Sequence, residues 1–160
     1  MAMVDASLVL DAIVAVSIAA GAVFAIVEMR EITRTRKTQL VVDMMRHIST
    51  VEFSEQIDKV FNADLSSEKG CEKCGFIALG VVAAFFEELG LLIRHKLVDA
   101  NLVHEAIGIA NQWERMKPWC LSERARTDPD TYENFEYAAE SERAWRAKRM
   151  RKRAVREAKQ

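Results

Sequence analysis

Cys71-Glu72-Lys73-Cys74 is the segment whose residue types and spacing point most directly to chemistry. Two thiolates three residues apart supply half of a tetrahedral zinc site. The same pair can also cycle between dithiol and disulfide. A complete structural zinc site needs two further ligands. Only Cys120, His47, His95 and His104 remain, and none forms a second closely spaced pair. A thioredoxin-like motif requires strand–helix–strand surroundings, which this sequence does not suggest. Three readings stay open for Cys71 and Cys74: inert loop cysteines, a metal site shared with a partner or second copy, and a redox pair.

Other catalytic templates fail on single positions. His104-Glu105 begins like a zinc-protease motif, but Gly108 stands where the second His belongs. No Glu precedes a His by three residues, so the Glu-x-x-His of di-iron bundles is missing. Asp128 and Asp130 start like a calcium loop, yet Tyr132 and the lack of a central Gly break it. Glu87 and Glu88 are neighbours and point about 100° apart on a helix, so they make no ready acid–base pair. Glu88 is expected to cap or to pair with Arg94 or Lys96. The expectation is a non-enzyme with no cofactor.

A second constellation is electrostatic. Arg143, Arg146, Lys148, Arg149, Arg151, Lys152, Arg153, Arg156 and Lys159 crowd into the last eighteen residues with a single acid, Glu157. Such a run suits an anionic surface, where each cation contributes about 1 kcal/mol. Nucleic acid is the less favoured rival. The plain alternative is a solvated helix whose charges contact the acidic body of the same molecule. The overall charge of −1 hides this segregation. Residues 1–27 carry −2, residues 28–142 carry −7 and residues 143–160 carry +8.

The elements that must hold these groups follow from hydrophobic patterning. Ala6 to Val27 contains only Ser7, Asp11 and Ser17 as polar residues. As a helix it is about 33 Å long, enough to cross a ~30 Å hydrocarbon core. No positive residue precedes it, so it reads as an uncleaved anchor rather than a signal peptide. Arg30, Arg34, Arg36 and Lys37 follow it, which predicts an external N-terminus and a cytoplasmic remainder. Ser17, Gly21 and Ala25 recur every four residues, a spacing that permits close helix approach and self-association. Asp11 is expected at the outer boundary of the span.

Beyond the span the period is helical throughout. Leu40, Val41, Met44, Met45 and Ile48 share one face. Ser49 to Glu52 reads as a capping box ahead of a helix carrying Phe53, Ile57, Val60 and Phe61. Asn62 to Gly75 is expected to be a loop. Residues 75–95 read as the central core helix, since Glu87 and Glu88 would be costly in a membrane. Asp99 is a predicted N-cap for one helix striped by Leu102, Ala106, Ile109, Ala110, Trp113 and Met116, ended or kinked at Pro118. Asp130 with Glu133 reads as a cap for a last helix from about Thr131 to Ala158, with Tyr132, Phe135 and Ala139 inward. Trp113 and Trp119 are expected in or near the core. The prediction is an all-α protein, a single N-terminal transmembrane helix followed by a small bundle of four or five helices. Its segments are an anchor with its basic run (1–37), a cytoplasmic helical domain (38–142) and a basic helical tail (143–160).

The stretch from Phe85 to Trp119 (FFEELGLLIRHKLVDANLVHEAIGIANQWERMKPW), with Arg124 and DPDTYENFEYAAE from Asp128 to Glu140, resembles an uncharacterised prokaryotic family. Its members have one N-terminal transmembrane helix and a small cytoplasmic helical domain of unknown function. The resemblance implies architecture and topology and no chemistry. The basic tail and the Cys pair look particular to this sequence. The function expected is therefore a membrane-anchored interaction or regulatory module, contacting a protein partner, another copy or anionic lipid. The alternative is a metal- or redox-responsive sensor built on Cys71 and Cys74.

Overall fold

A computed structural model describes residues 6–158, and every regular element among them is a helix. In chain order these are α1 (Ala6–Ile48), α2 (Val51–Asn62), α3 (Glu68–Cys74), α4 (Phe76–Arg94), α5 (Ala100–Ala106), α6 (Ile109–Arg126) and α7 (Glu133–Glu157). Contacts divide the chain into two units at Gln39/Leu40. The basic tail from residue 143 onward forms the C-terminal part of α7.

In the first unit, α1 exposes its apolar side chains all round, Leu10, Ile13, Val16, Ile18 and Phe24 among them. The most apolar window of the helix has no buried residue. Several of its hydroxyls bond back to carbonyls of the same helix. Ser17 Oγ donates to the Ile13 carbonyl and Thr33 Oγ1 to that of Met29, each at 2.8 Å.

The second unit is built on α4. Leu79, Val82, Ala83, Phe86 and Leu89 are fully or almost fully buried, with α7 as the main neighbour and α2, α3 and α6 beside it. Half of the most apolar window of α4 is buried in this bundle, as a core helix requires. A continuous chain of rings crosses the core. It runs His47–Phe53–Phe85–Phe86–Phe135–Trp113, with successive centroids 4.9 to 5.3 Å apart. These residues come from α1, α2, α4, α7 and α6, so one aromatic seam ties five helices together.

Several local expectations shift. The cap of α2 is Thr50, whose side chain accepts from Phe53 N–H at 3.3 Å. Ser49 instead donates to the Met45 carbonyl at 2.9 Å, so its hydroxyl is committed to the end of α1. The segment from Asn62 to Gly75 is not all loop. Ser67 caps α3 by accepting from Gly70 N–H at 3.2 Å, and Gly75, at φ +91°, ends it. Turn-forming Ser and Asp thus start a short helix, which Cys71 and Cys74 pin to the core.

The long stripe from Leu102 to Met116 breaks in two at Ile107–Gly108. Val103 and Ile107 are buried in place of Leu102 and Ala106, because the break resets the inward face. Pro118 does not end α6, which continues to Arg126. Burial of Trp119 and Cys120 beyond it offsets the roughly 3 kcal/mol that a helical proline costs. The bundle accordingly has more helices than the four or five expected, since α3 is helical and α5 and α6 are separate. The last helix starts at Glu133, two residues later than expected.

Gly90 marks the close approach of α4 to the start of α7. A Cβ there would overlap the Asn134 carbonyl at the start of α7. Gly90→Ala is expected to destabilise the fold although alanine favours an isolated helix by up to about 1 kcal/mol. A lower midpoint in chemical denaturation checks this.

Candidate functional site

Cys71 and Cys74 lie on the inward side of α3, both about 7% exposed. Cys71 Sγ donates weakly to the Leu65 carbonyl at 3.7 Å. Burial raises the pKa of both thiols, and the carboxylates of Asp64, Glu123 and Glu68 push Cys71 further the same way. Cys120, on α6, is fully buried and its pKa is pushed up to about 12, against the opposing pull of Arg124. All three cysteines are free thiols. No group of three or more His, Cys, Asp or Glu that could hold a metal occurs among the described residues.

The basic run divides at one turn of α7. Arg143 pairs with Glu114, Arg146 with Glu142 and Arg149 with Glu105, the last at 2.8 Å. Arg149 also lies 5.0 Å from the centre of the Trp145 ring. Arg143 thereby ties α7 to α6 and Arg149 ties it to α5, whereas the Arg146–Glu142 pair lies within α7. Lys148, Arg151, Lys152, Arg153 and Arg156 project from the exposed part of the helix. Lys159 lies outside the described residues.

Two functional-looking carboxylates turn out to be helix caps supplied from other helices. The α7 start has no side-chain cap of its own, and its N-cap residue Tyr132 is left-handed at φ 60°. Glu87 of α4 reaches across instead. It accepts from Asn134 N–H at 3.3 Å and from Phe135 N–H at 2.8 Å, and takes the Asn134 amide at 2.7 Å. The expected Asp130/Glu133 cap is thereby replaced. Glu133 is the partner of Arg94, so the pairing foreseen for Glu88 does not form and Glu88 is exposed.

Gly108 likewise starts α6 without a side-chain cap. Glu142, fully buried, accepts from Ala110 N–H at 2.7 Å and from Arg146 Nε at 2.7 Å. Beside it, His104 is buried with Nε2 3.1 Å from Ser141 Oγ. Burial holds the imidazole below its ordinary pKa range. Sequence reasoning missed Glu142. Its one local signal is a carboxylate four residues from Arg146 and three from Ala139 on the inward face.

Arg124 secures the α6–α7 turn. It donates to the Thr131 carbonyl at 2.7 Å and the Tyr132 carbonyl at 3.0 Å, and pairs with Glu136 at 2.6 Å. These bonds over-determine the left-handed Tyr132.

Together these features define an all-helical domain carrying an apolar N-terminal helix that is a candidate membrane span. The chain belongs to the DUF4760 family, a domain of unknown function, whose model matches residues 15–145. That stretch includes most of the apolar helix and the bundle, and ends at Trp145 ahead of the five exposed cations. No curated protein and no solved structure matches the chain.

Glu142→Ala is expected to cost about 1–3 kcal/mol in denaturant unfolding, since it orphans the buried Ala110 N–H; Glu142→Gln keeps an acceptor and should cost less. Thiol titration supplies a second check. Cys71, Cys74 and Cys120 should react slowly with a disulfide reagent in the folded chain and rapidly once it is unfolded. Fast native reaction at Cys71 or Cys74 would contradict this protected environment.

Proposed function

We propose that the chain is a single-pass membrane protein whose N-terminus lies outside and whose helical domain works in the cytoplasm as an interaction or regulatory module. The observation that carries this reading is α1. A helix with a long apolar window and no buried residue in it needs an apolar surrounding other than its own protein. Orientation rests on Arg30, Arg34, Arg36 and Lys37, which follow the apolar window; the three arginines are exposed and Lys37 is partly so. The module acts through contacts rather than catalysis. Its carboxylates Glu87 and Glu142 are committed to helix starts, and its thiols are buried. A protein partner or a second copy is the occupant this reading expects.

Membrane extraction and a reporter fused after Gln160 test the reading. The chain should resist alkaline carbonate and dissolve in detergent, and the reporter should be active only in the cytoplasm. Release by carbonate would remove the anchor, and external reporter activity would reverse the orientation.

A further inference from the structure

The distal half of α7 has no use inside the bundle. Lys148, Lys152 and Arg156 stand four residues apart on one helix face, with Arg151 and Arg153 on its flanks. Cations at that spacing repel one another. Nearer the bundle the same helix neutralises its bases one by one, on Glu114, Glu142 and Glu105. Among the described residues no acidic side chain pairs with any of the five distal cations. Val155, 57% exposed, sits within the basic face between Arg151 and Arg156.

Two demands therefore meet in this segment. The helix keeps its cations arrayed although they destabilise one another, and an apolar side chain stands among them. An extended negative surface with an apolar interior satisfies both. It neutralises the row at once and receives Val155 between headgroups. An acidic side chain from the bundle could neutralise only one cation at a time.

We infer that Lys148, Arg151, Lys152, Arg153 and Arg156 form a contact surface for the anionic headgroups of a lipid bilayer. This rests on the membrane-anchor reading, because the anchor keeps the domain close to such a surface and makes weak contacts sufficient. The face works as a second, salt-sensitive attachment that sets whether α7 lies against the membrane or stands free. Arg143, Arg146 and Arg149 are excluded from it by their pairing.

The full chain reconstituted in lipid nanodiscs tests this. A donor dye goes on Ala154→Cys, which is exposed, whereas the native cysteines are buried. The acceptor is a headgroup-labelled lipid. Energy transfer should be higher in discs containing phosphatidylglycerol than in phosphatidylcholine alone, and high salt should abolish the difference. Replacing the five cations with Gln should bring transfer to the neutral-lipid level while the chain still enters the discs and keeps its helicity by circular dichroism. Lys152→Gln alone should lower the ratio of bound to free helix by roughly fivefold. Equal transfer in both discs overturns the inference. So does tighter binding to a single-stranded RNA oligonucleotide than to anionic discs. Failure of the chain to enter any disc is a separate result, which overturns the anchor and this proposal with it.

Discussion

The bundle depends on helix ends that are completed by other helices. An isolated helix leaves its first N–H groups unpaired and carries partial positive charge there. Both α6 and α7 begin without a capping side chain. Glu142 completes α6 and Glu87 completes α7. At the opposite polarity, Arg115 donates to the Val60 carbonyl at 3.1 Å near the end of α2 and lies 5.1 Å from the Phe61 ring centre. In each case the sign of the side chain opposes that of the helix end. The start of α6 therefore requires α7 in place, and the start of α7 requires α4.

This interlock explains the close packing around it. Glu87 reaches the α7 start only because α4 comes near, and Gly90, one turn further on, removes the side chain that would hold the helices apart. Phe86 and Phe135 stack on the same contact at 4.9 Å. Apolar burial supplies most of the driving force, while the carboxylates fix which residue begins each helix. Along α7 the charge changes sign: Glu133, Glu136, Glu140 and Glu142 come first and the bases follow. That order complements the helix dipole, and it sends the acidic half into the bundle and the basic half away from it.

Much of this architecture is legible in residue order. The apolar stretch before Glu28, the buried face of α4 and the inward Phe135 and Ala139 all follow from periodicity, because burial of a stripe is a local property of a helix. The Asp99 cap is likewise local, accepting from Asn101 N–H at 2.9 Å. Errors fall where two distant segments share one interaction. Ser66 and Ser67 read as loop because nothing nearby shows that Cys71 and Cys74 will be buried. The stripe through Leu102 and Trp113 reads as one helix because the carboxylate that starts α6 lies more than thirty residues downstream.

Composition and order were enough to establish an all-helical chain with an apolar N-terminal helix and a segregated, basic C-terminal end, because helical period and charge are carried by near neighbours. Only the folded arrangement decides where helices begin, which cations are already spent and which thiols are shielded. Each of those outcomes depends on a partner brought close by packing: Glu87 on Phe135, Glu142 on Ala110, and Glu105 on Arg149. A linear pattern carries the type of every residue but not the identity of the group it will meet.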